Sequence, residues 1–130
     1  MEKNIFEKIR DKESPAKIIF ENDYITAFED IEPSAPVHIL IIPNKKISSL
    51  NEIEEQDSVY LSKILLAAKE IARQVGIEKT GYRLITNCGF DGGQEINYLH
   101  FHLVGGLKLG KIISLSKDSK KIFKSLKSEK

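Results

Sequence analysis

Hydrophobic positions recur at two spacings along the chain, and these spacings predict one long helix, one short helix and several strands. The longest helical pattern has apolar residues at i, i+3, i+4 and i+7, namely Leu61, Ile64, Leu65, Ala68, Ile71, Ala72 and Val75. Gly76 follows it, at the place where a glycine commonly ends a helix. A shorter pattern predicts a first helix that ends before Ser14-Pro15, with apolar residues at Ile5, Phe6 and Ile9.

Four runs rich in apolar and β-branched residues predict strands. They are AKIIFEN, YITAFED, VHILIIP and YRLITN, which cover residues 16–22, 24–30, 37–43 and 82–87. Asn22-Asp23 separates the first two runs and indicates a hairpin turn. Strands arranged around one long helix predict an α+β domain with helices packed on an antiparallel sheet.

A fifth candidate strand, INYLHFHLVGG at residues 96–106, contains two of the three histidines of the chain. Side chains two apart share one face of a strand, so Tyr98, His100 and His102 are expected on one face. The apolar residues between them would then face the other way. Two imidazoles side by side, just before a Gly-Gly pair, indicate a site that works near neutral pH.

These histidines admit four interpretations. One imidazole can attack phosphorus while the other donates to a phosphate oxygen. His100 and His102 can instead chelate zinc, with His38 as the third ligand. They can hold a nucleotide without turning it over, or they can be ordinary core residues. The adjacent loop NCGFDGGQ favours phosphate, because Asn87 offers an amide and the glycines let main-chain N–H groups approach an anion closely.

Composition narrows the class of protein. The chain has 130 residues, as expected for one domain, and its 20 Lys and Arg nearly balance 19 Asp and Glu. Nucleic acid is therefore not expected as the main partner. Cys88 is the single cysteine, which excludes an internal disulfide and suits a reducing compartment. Because no apolar run approaches 18 residues, we expect a cytoplasmic protein with no membrane partner.

The composition changes near residue 107. From Lys108 to Lys130 the chain has eight lysines against Asp118 and Glu129, a net charge of +6. We divide the chain into a domain at 1–107 and a lysine-rich extension at 108–130. A solvated tail, an anionic partner and a cover over the site all remain open. Ile112, Ile113 and Leu115 are expected to dock, and the stretch from Lys117 to be exposed, as a short helix with Ile122, Phe123 and Leu126 on one side.

Two segments resemble a known family. DGGQEINYLHFHLVGG is similar to the signature of histidine-triad (HIT) proteins, and residues 4–45 resemble the Hint-like branch, the nucleoside phosphoramidate hydrolases. The resemblance covers about residues 4–107 and excludes the tail. It implies a HIT-like antiparallel sheet of about five strands with one long and one short helix, paired into a continuous sheet across a homodimer. It also implies hydrolysis of purine nucleoside 5′-phosphoramidates through a nucleotidyl-histidine, with no metal and no cofactor.

The resemblance assigns roles to individual residues. The catalytic residues it implies are His100 as nucleophile, His102 as the last triad histidine, and Asn87. The phosphate-side positions are Asn87, Gly93, Gln94 and Glu95. The ribose and purine positions are Asp30, Ile31, Phe28, Ile5, Phe6 and Ile9. His38 would support the triad. Four of these apolar residues have an equal alternative role, which is plain packing in the core: Ile5, Phe6, Ile9 and Phe28.

Tyr98 departs from the family signature, since it stands where the first triad histidine belongs. In the family, a main-chain carbonyl near this position orients the nucleophile, and a main-chain group survives a change of side chain. We therefore expect the chemistry to persist, and Tyr98→His to maintain or raise the rate. The alternative is a catalytically weak purine-nucleotide-binding or regulatory module.

Overall fold

Five antiparallel strands form one open sheet in the computed structural model, which describes residues 2–128. The strands are β1 (Ile18–Glu21), β2 (Ile25–Glu29), β3 (Val37–Pro43), β4 (Tyr82–Thr86) and β5 (Phe101–Gly105). Their order across the sheet is β1-β2-β3-β5-β4, and every pair of neighbours is antiparallel. The histidine strand β5 therefore lies inside the sheet, between β3 and β4.

Three α-helices accompany the sheet: α1 (Ile5–Arg10), α2 (Ser58–Gln74) and α3 (Lys117–Ser128). Asn4 begins α1 with a capping box, in which the Asn4 side chain accepts from the Glu7 N–H and the Glu7 carboxylate accepts from the Asn4 N–H. Gly76, at φ 82°, follows α2 in the left-handed conformation that ends many helices. The predicted long and short helices are confirmed, and the tail adds the third.

The two faces of the sheet have different partners. Odd-numbered residues of β2 and β3 pack with α2, in a core that contains Ile25, Ala27, Ile39, Ile41, Ile64, Ile71 and Leu103. Even-numbered residues pack with α1, in a second cluster of Phe6, Ile9, Phe28, Leu40, Ile42 and Tyr98. Because both faces are covered, β3 is apolar at almost every position. His102 pairs with Leu40 and so lies on the α1 face.

Strand β5 is shorter than the histidine pattern predicts, since it begins at Phe101 rather than before Tyr98. The Tyr98 N–H donates to the Ile96 carbonyl at 2.8 Å, and the Leu99 N–H donates to the Ile47 carbonyl at 2.6 Å. Because these two N–H groups bond outside the sheet, the segment before His100 does not pair with the neighbouring strands. The common face survives nevertheless, because Tyr98 and His100 both contact Phe6 on the α1 side.

The Gly-Gly pair at the end of β5 has a steric reason. A Cβ on Gly105 would lie 3.1 Å from Ile77 and 3.2 Å from the Gly81 carbonyl. Gly106 has φ 101°, and a Cβ there would lie 2.8 Å from Pro36. Only glycine lets β5 turn away between these neighbours, so the pair belongs to the fold rather than to the chemistry.

The tail is exposed along almost its whole described length. Ile112, Ile113 and Leu115, which we expected to dock, are exposed in the single chain. The expected exposure from Lys117 onward is confirmed for α3, where Ser119 alone is half-buried. Within residues 2–128, no helix is long and apolar enough to cross a membrane.

Candidate active site

His100 is held just ahead of β5 by a contact with the main chain. Its Nδ1 lies 2.7 Å from the carbonyl oxygen of Tyr98. A carbonyl can only accept, so Nδ1 must carry the proton and donate. The other ring nitrogen, Nε2, then has a free lone pair. His100 is thus fixed in the tautomer that a nucleophile requires.

His102 is fixed in the complementary tautomer by a chain of hydrogen bonds. The Ser34 N–H donates to Nδ1 of His38 at 3.0 Å, so Nε2 of His38 carries the proton. That nitrogen lies 2.9 Å from Nδ1 of His102, which therefore accepts. Nε2 of His102 is left as an N–H donor. The chain begins at a backbone amide that cannot reverse its role, so the order of protons is set by the fold.

The two imidazoles thus offer a lone pair and a donor side by side, with ring centroids 5.0 Å apart. Burial lowers the pKa of His100 below its usual value. Burial, together with repulsion from His100 and His38, lowers the pKa of His102 to about 4. Both rings are therefore neutral at pH 7. The pair can attack and can donate, but it brings no positive charge of its own.

Phe6 forms an apolar wall against His100. Its ring meets His100 edge to face at 4.9 Å and Phe28 at 5.6 Å. Phe6, Phe28 and Ile9 are all buried in the α1-side cluster, so their packing role is established. Ile5 and Ile31 are 43% and 96% exposed, which leaves both free to contact a ligand.

Asp30 lies beside the histidine chain, at the end of the turn that contains Ser34. Its Oδ2 is 3.4 Å from Nε2 of His38, and its Oδ1 accepts from the Glu32 N–H at 2.8 Å. A carboxylate has about four acceptor positions, so Asp30 keeps capacity for the hydroxyls of a ligand. Its charge also favours protonation of His100 and His102, against the larger effect of burial.

The glycine-rich loop is braced from within. The Gln94 side chain accepts from the Gly89 N–H at 3.0 Å and donates to the carbonyls of Ser48 and Ile96 at 2.7 and 3.0 Å. The Gly93 N–H donates to the Phe90 carbonyl. Two of the N–H groups that we expected to face an anion, those of Gly89 and Gly93, are therefore used inside the loop. Gln94 shapes the loop, and both N–H donors of its side chain are already used within the chain.

Asn87 and Glu95 lie at the two ends of the glycine-rich loop. Asn87 is the residue after β4, and the hydroxyl of the preceding Thr86 donates to the His100 carbonyl at 2.8 Å. This bond ties the end of β4 to His100. Glu95 is exposed, and its charge, like that of Asp30, favours the protonated form of His100.

Tyr98 is completely buried and anchored at its far end. Its hydroxyl donates to the Pro43 carbonyl, and Nη1 of Arg10 lies 3.5 Å from the same hydroxyl. The Arg10 guanidinium also lies 5.9 Å from the centre of the ring. Burial raises the pKa of Tyr98. The residue acts as a neutral strut between α1 and β3, with its carbonyl aimed at His100.

The zinc interpretation meets a specific obstacle. The predicted zinc ligands were His38, His100 and His102. The donor atoms that the structure groups together, within 4.8 Å of one another, instead belong to Asp30, His38 and His102. However, Nε2 of His38 carries a proton that it donates to His102. Both nitrogens that would bind the ion are engaged with each other. The donor set therefore suits an ordered proton chain better than a metal.

With this geometry established, comparison with known proteins identifies the family. The family described as HIT domain matches residues 11–109 of the chain. The chain belongs to the HIT family. The family resemblance is confirmed, as are the predicted sheet and helices of the single chain and the expectation that this HIT protein is a hydrolase.

Three relatives illustrate the likeness. The chain is 44% identical to the purine nucleoside phosphoramidase of Escherichia coli K12 over 113 residues, which cover 87% of this chain and 95% of that protein. It is 52% identical to an uncharacterized HIT-like protein of Buchnera aphidicola over 109 residues, 84% of this chain and 97% of that one. The HIT family hydrolase structure from Clostridium thermocellum superposes with a TM-score of 0.84 at 45% identity, over 87% and 99% of the two chains.

Sequence reasoning missed several groups that contact the candidate site residues. The Ser34 N–H and the Pro43 carbonyl act through the main chain, and main-chain groups leave no residue-type signal. Arg10 lies 88 positions from Tyr98 in the sequence, so nothing local connects the two. Thr86 had a weak signal, as a hydroxyl residue within the predicted strand YRLITN, directly before Asn87.

Proposed function

We propose that this HIT protein hydrolyses purine nucleoside 5′-phosphoramidates to a nucleoside monophosphate and an amine. The observation that carries the proposal is the pairing of tautomers, with a lone pair on Nε2 of His100 beside an N–H on Nε2 of His102. The Escherichia coli relative bears the name purine nucleoside phosphoramidase, which supports this substrate class.

His100 acts as the nucleophile. Its Nε2 attacks the α-phosphorus, a P–N bond forms to the ring, and the substrate's own P–N bond breaks. The imidazole becomes positively charged, so the hydrogen bond from Nδ1 to the Tyr98 carbonyl strengthens as the charge develops. The leaving amine takes up one proton. The water that later attacks the nucleotidyl-histidine returns one, so the whole reaction consumes one water.

His102 and Asn87 act on the phosphate. The Nε2–H of His102 donates to an equatorial oxygen or to the leaving nitrogen, and the Asn87 amide offers a second donor. Donors fixed in place before the reaction stabilise developing charge without reorganisation. Gly93, Gln94 and Glu95 shape the loop on the same side, with Glu95 placed to face the amine rather than the phosphate.

The nucleoside lies on the α1 side. Asp30 accepts from the ribose hydroxyls, and the purine packs near Phe6 and Phe28 with Ile5 and Ile31 at the exposed edge. Ile9 supports this wall from within the buried cluster.

The test is turnover of adenosine 5′-tryptamine phosphoramidate, with His100→Gln as the matched variant. Wild type should release AMP and tryptamine, and mass spectrometry of quenched reactions should find the nucleotidyl adduct on His100. His100→Gln should bind AMP yet lose turnover and adduct. AMP binding without turnover by wild type would instead identify a nucleotide-binding module. Activity of His100→Gln within about tenfold of wild type, or about 1.4 kcal/mol in barrier, would remove His100 as nucleophile.

We also propose that the protein is a homodimer that joins two sheets through α2 and β4. Leu65 and Leu66 of α2 are 56% and 59% exposed, and β4 is an edge strand with Tyr82 and Ile85 partly exposed. A two-fold partner would bury this surface and pair the edge. Light scattering should give twice the chain mass, and Leu66→Lys should reduce it to a monomer. A monomer mass for wild type at micromolar concentration would contradict the proposal.

A further inference from the structure

Helix α3 separates charge from apolar surface more sharply than α2 does. At about 100° per residue, its five lysines fall within an arc of about 120°. They are Lys117, Lys120, Lys121, Lys124 and Lys127. Ile122, Phe123 and Leu126 occupy about 100° on the opposite side. A helix with one basic and one apolar face of this kind is typical of helices that lie in a membrane interface.

Both faces of α3 are largely exposed in the described chain, and Lys127 Nζ lies over the Phe123 ring at 4.5 Å from its centre. Ile122, Phe123 and Leu126 are exposed. Within residues 2–128, no tail lysine lies within ion-pair distance of a carboxylate. The helix therefore presents both faces to the surroundings, although leaving three large apolar side chains in water is unfavourable.

Charge is also divided along the chain. The extension holds eight of the 20 basic residues and two of the 19 acidic ones, so residues 1–107 carry a net charge of −5 and residues 108–130 carry +6. An anionic surface would repel the catalytic domain and attract the tail. The positive charge is thus confined to the extension. On an anionic surface the extension would bind, while residues 1–107 would stay in solution next to that surface.

We propose that α3 is an interfacial helix that binds the protein to anionic lipid surfaces. The apolar face enters the boundary between headgroups and acyl chains, while the lysines reach the anionic headgroups. Ile112 and Ile113, which are exposed ahead of the helix, add apolar contact. RNA would use the lysines but leave the apolar face in water. This proposal departs from the expectation of no membrane partner, which rested on the lack of an apolar run long enough to span a bilayer. A helix that lies on the surface needs no such run.

The chain lacks tryptophan, so Phe123→Trp introduces a single fluorescent probe on the apolar face of α3. With the full-length protein and vesicles of phosphatidylcholine plus phosphatidylglycerol, the emission should shift to the blue. Pure phosphatidylcholine vesicles should give no shift. Affinity should fall at least tenfold between about 0.1 M and 1 M salt, as the Debye length shrinks from about 10 Å to about 3 Å.

Matched variants in the Phe123→Trp background separate charge from structure. Lys120→Gln with Lys124→Gln should weaken vesicle binding by at least about tenfold, since each lysine near the surface contributes roughly fivefold. Lys120→Arg with Lys124→Arg keeps the charge and should bind as the parent does. Leu126→Ser should reduce both the binding and the shift. Turnover of the phosphoramidate in solution should be the same for all of them.

Three outcomes would overturn the proposal. One is an absence of shift with anionic vesicles. Another is an emission already blue-shifted without vesicles, which would place α3 against the protein or its partner subunit. The last is binding of an RNA oligonucleotide as tightly as vesicles, without a shift. Vesicle binding is measured without substrate, so failure of the proposed enzymatic function would leave the result readable.

Discussion

The Tyr98 carbonyl lies 2.7 Å from Nδ1 of His100, and the side chain of the same tyrosine is locked between Pro43 and Arg10. Tyr98 thus joins His100, the proposed nucleophile, to α1 and to the end of β3. The contact with His100 uses the main chain of Tyr98, and the anchoring contacts use its side chain. The two roles can therefore be separated by mutation.

Tyr98→Phe should lower stability while leaving catalysis nearly intact. The change removes the hydroxyl that donates to the Pro43 carbonyl, and a buried acceptor that loses its donor costs about 1–3 kcal/mol. The ring and the carbonyl stay in place, so kcat should be unchanged. Urea unfolding and steady-state kinetics check the two halves. A loss of kcat of tenfold or more at full folding would show that the hydroxyl itself positions His100.

Tyr98→His restores the family signature but removes the hydrogen bond to the Pro43 carbonyl. Imidazole is shorter than phenol and will not span the distance to Pro43, so a buried gap and an unpaired carbonyl should lower Tm further than Tyr98→Phe does. We still expect the rate to be maintained or raised, because the carbonyl remains. Calorimetry and kinetics on the two variants side by side test this. A Tm equal to that of wild type would contradict the claim that the Tyr98 side chain stabilises the fold by bridging α1 and β3.

The fold was largely predictable from the sequence because its periodicities are strong. The α2 pattern from Leu61 to Val75 and the strand VHILIIP each match an observed element. The start of β5 was not predictable, since it depends on a hydrogen bond between Leu99 and Ile47, far apart in sequence. The hydrogen bonds of the glycine-rich loop were the hardest feature to predict. The glycines suggested free N–H groups, whereas the Gln94 side chain accepts from the Gly89 N–H inside the loop.

The site divides in the same way. The identities of His38, His100 and His102 could be read from residue type and resemblance. Their tautomers could not, because these depend on the Ser34 amide and the Tyr98 carbonyl, and every residue except proline carries the same main-chain groups. Sequence indicates which side chains can react, while the fold decides which nitrogen does.

His38→Phe should lower kcat by at least about tenfold, or 1.4 kcal/mol in barrier, with little change in KM. The phenyl ring fills the buried space but cannot donate to Nδ1 of His102, so His102 no longer has its Nε2–H fixed. His38→Gln is the matched control, since its amide can place a donor near the same position and should recover part of the rate. Equal kcat for His38→Phe and wild type would show that the hydrogen-bond chain has no catalytic role.

Stability should fall as the pH drops from 7 to 5, and His102 should account for much of the fall. The pKa of His102 is about 4 in the folded chain, against an ordinary value near 6.5, because burial and the neighbouring imidazoles oppose its charge. Between these values the unfolded chain binds more protons than the folded one. The free energy of unfolding therefore rises with pH across this window, and the group alone gives about 2 kcal/mol between pH 5 and 7. Carboxylates with lowered pKa, such as Asp57 beside Lys45, lose their contribution only at lower pH. His102→Gln should flatten the slope between pH 5 and 7 in urea unfolding, whereas an unchanged slope would mean that His102 titrates alike in the folded and unfolded chain.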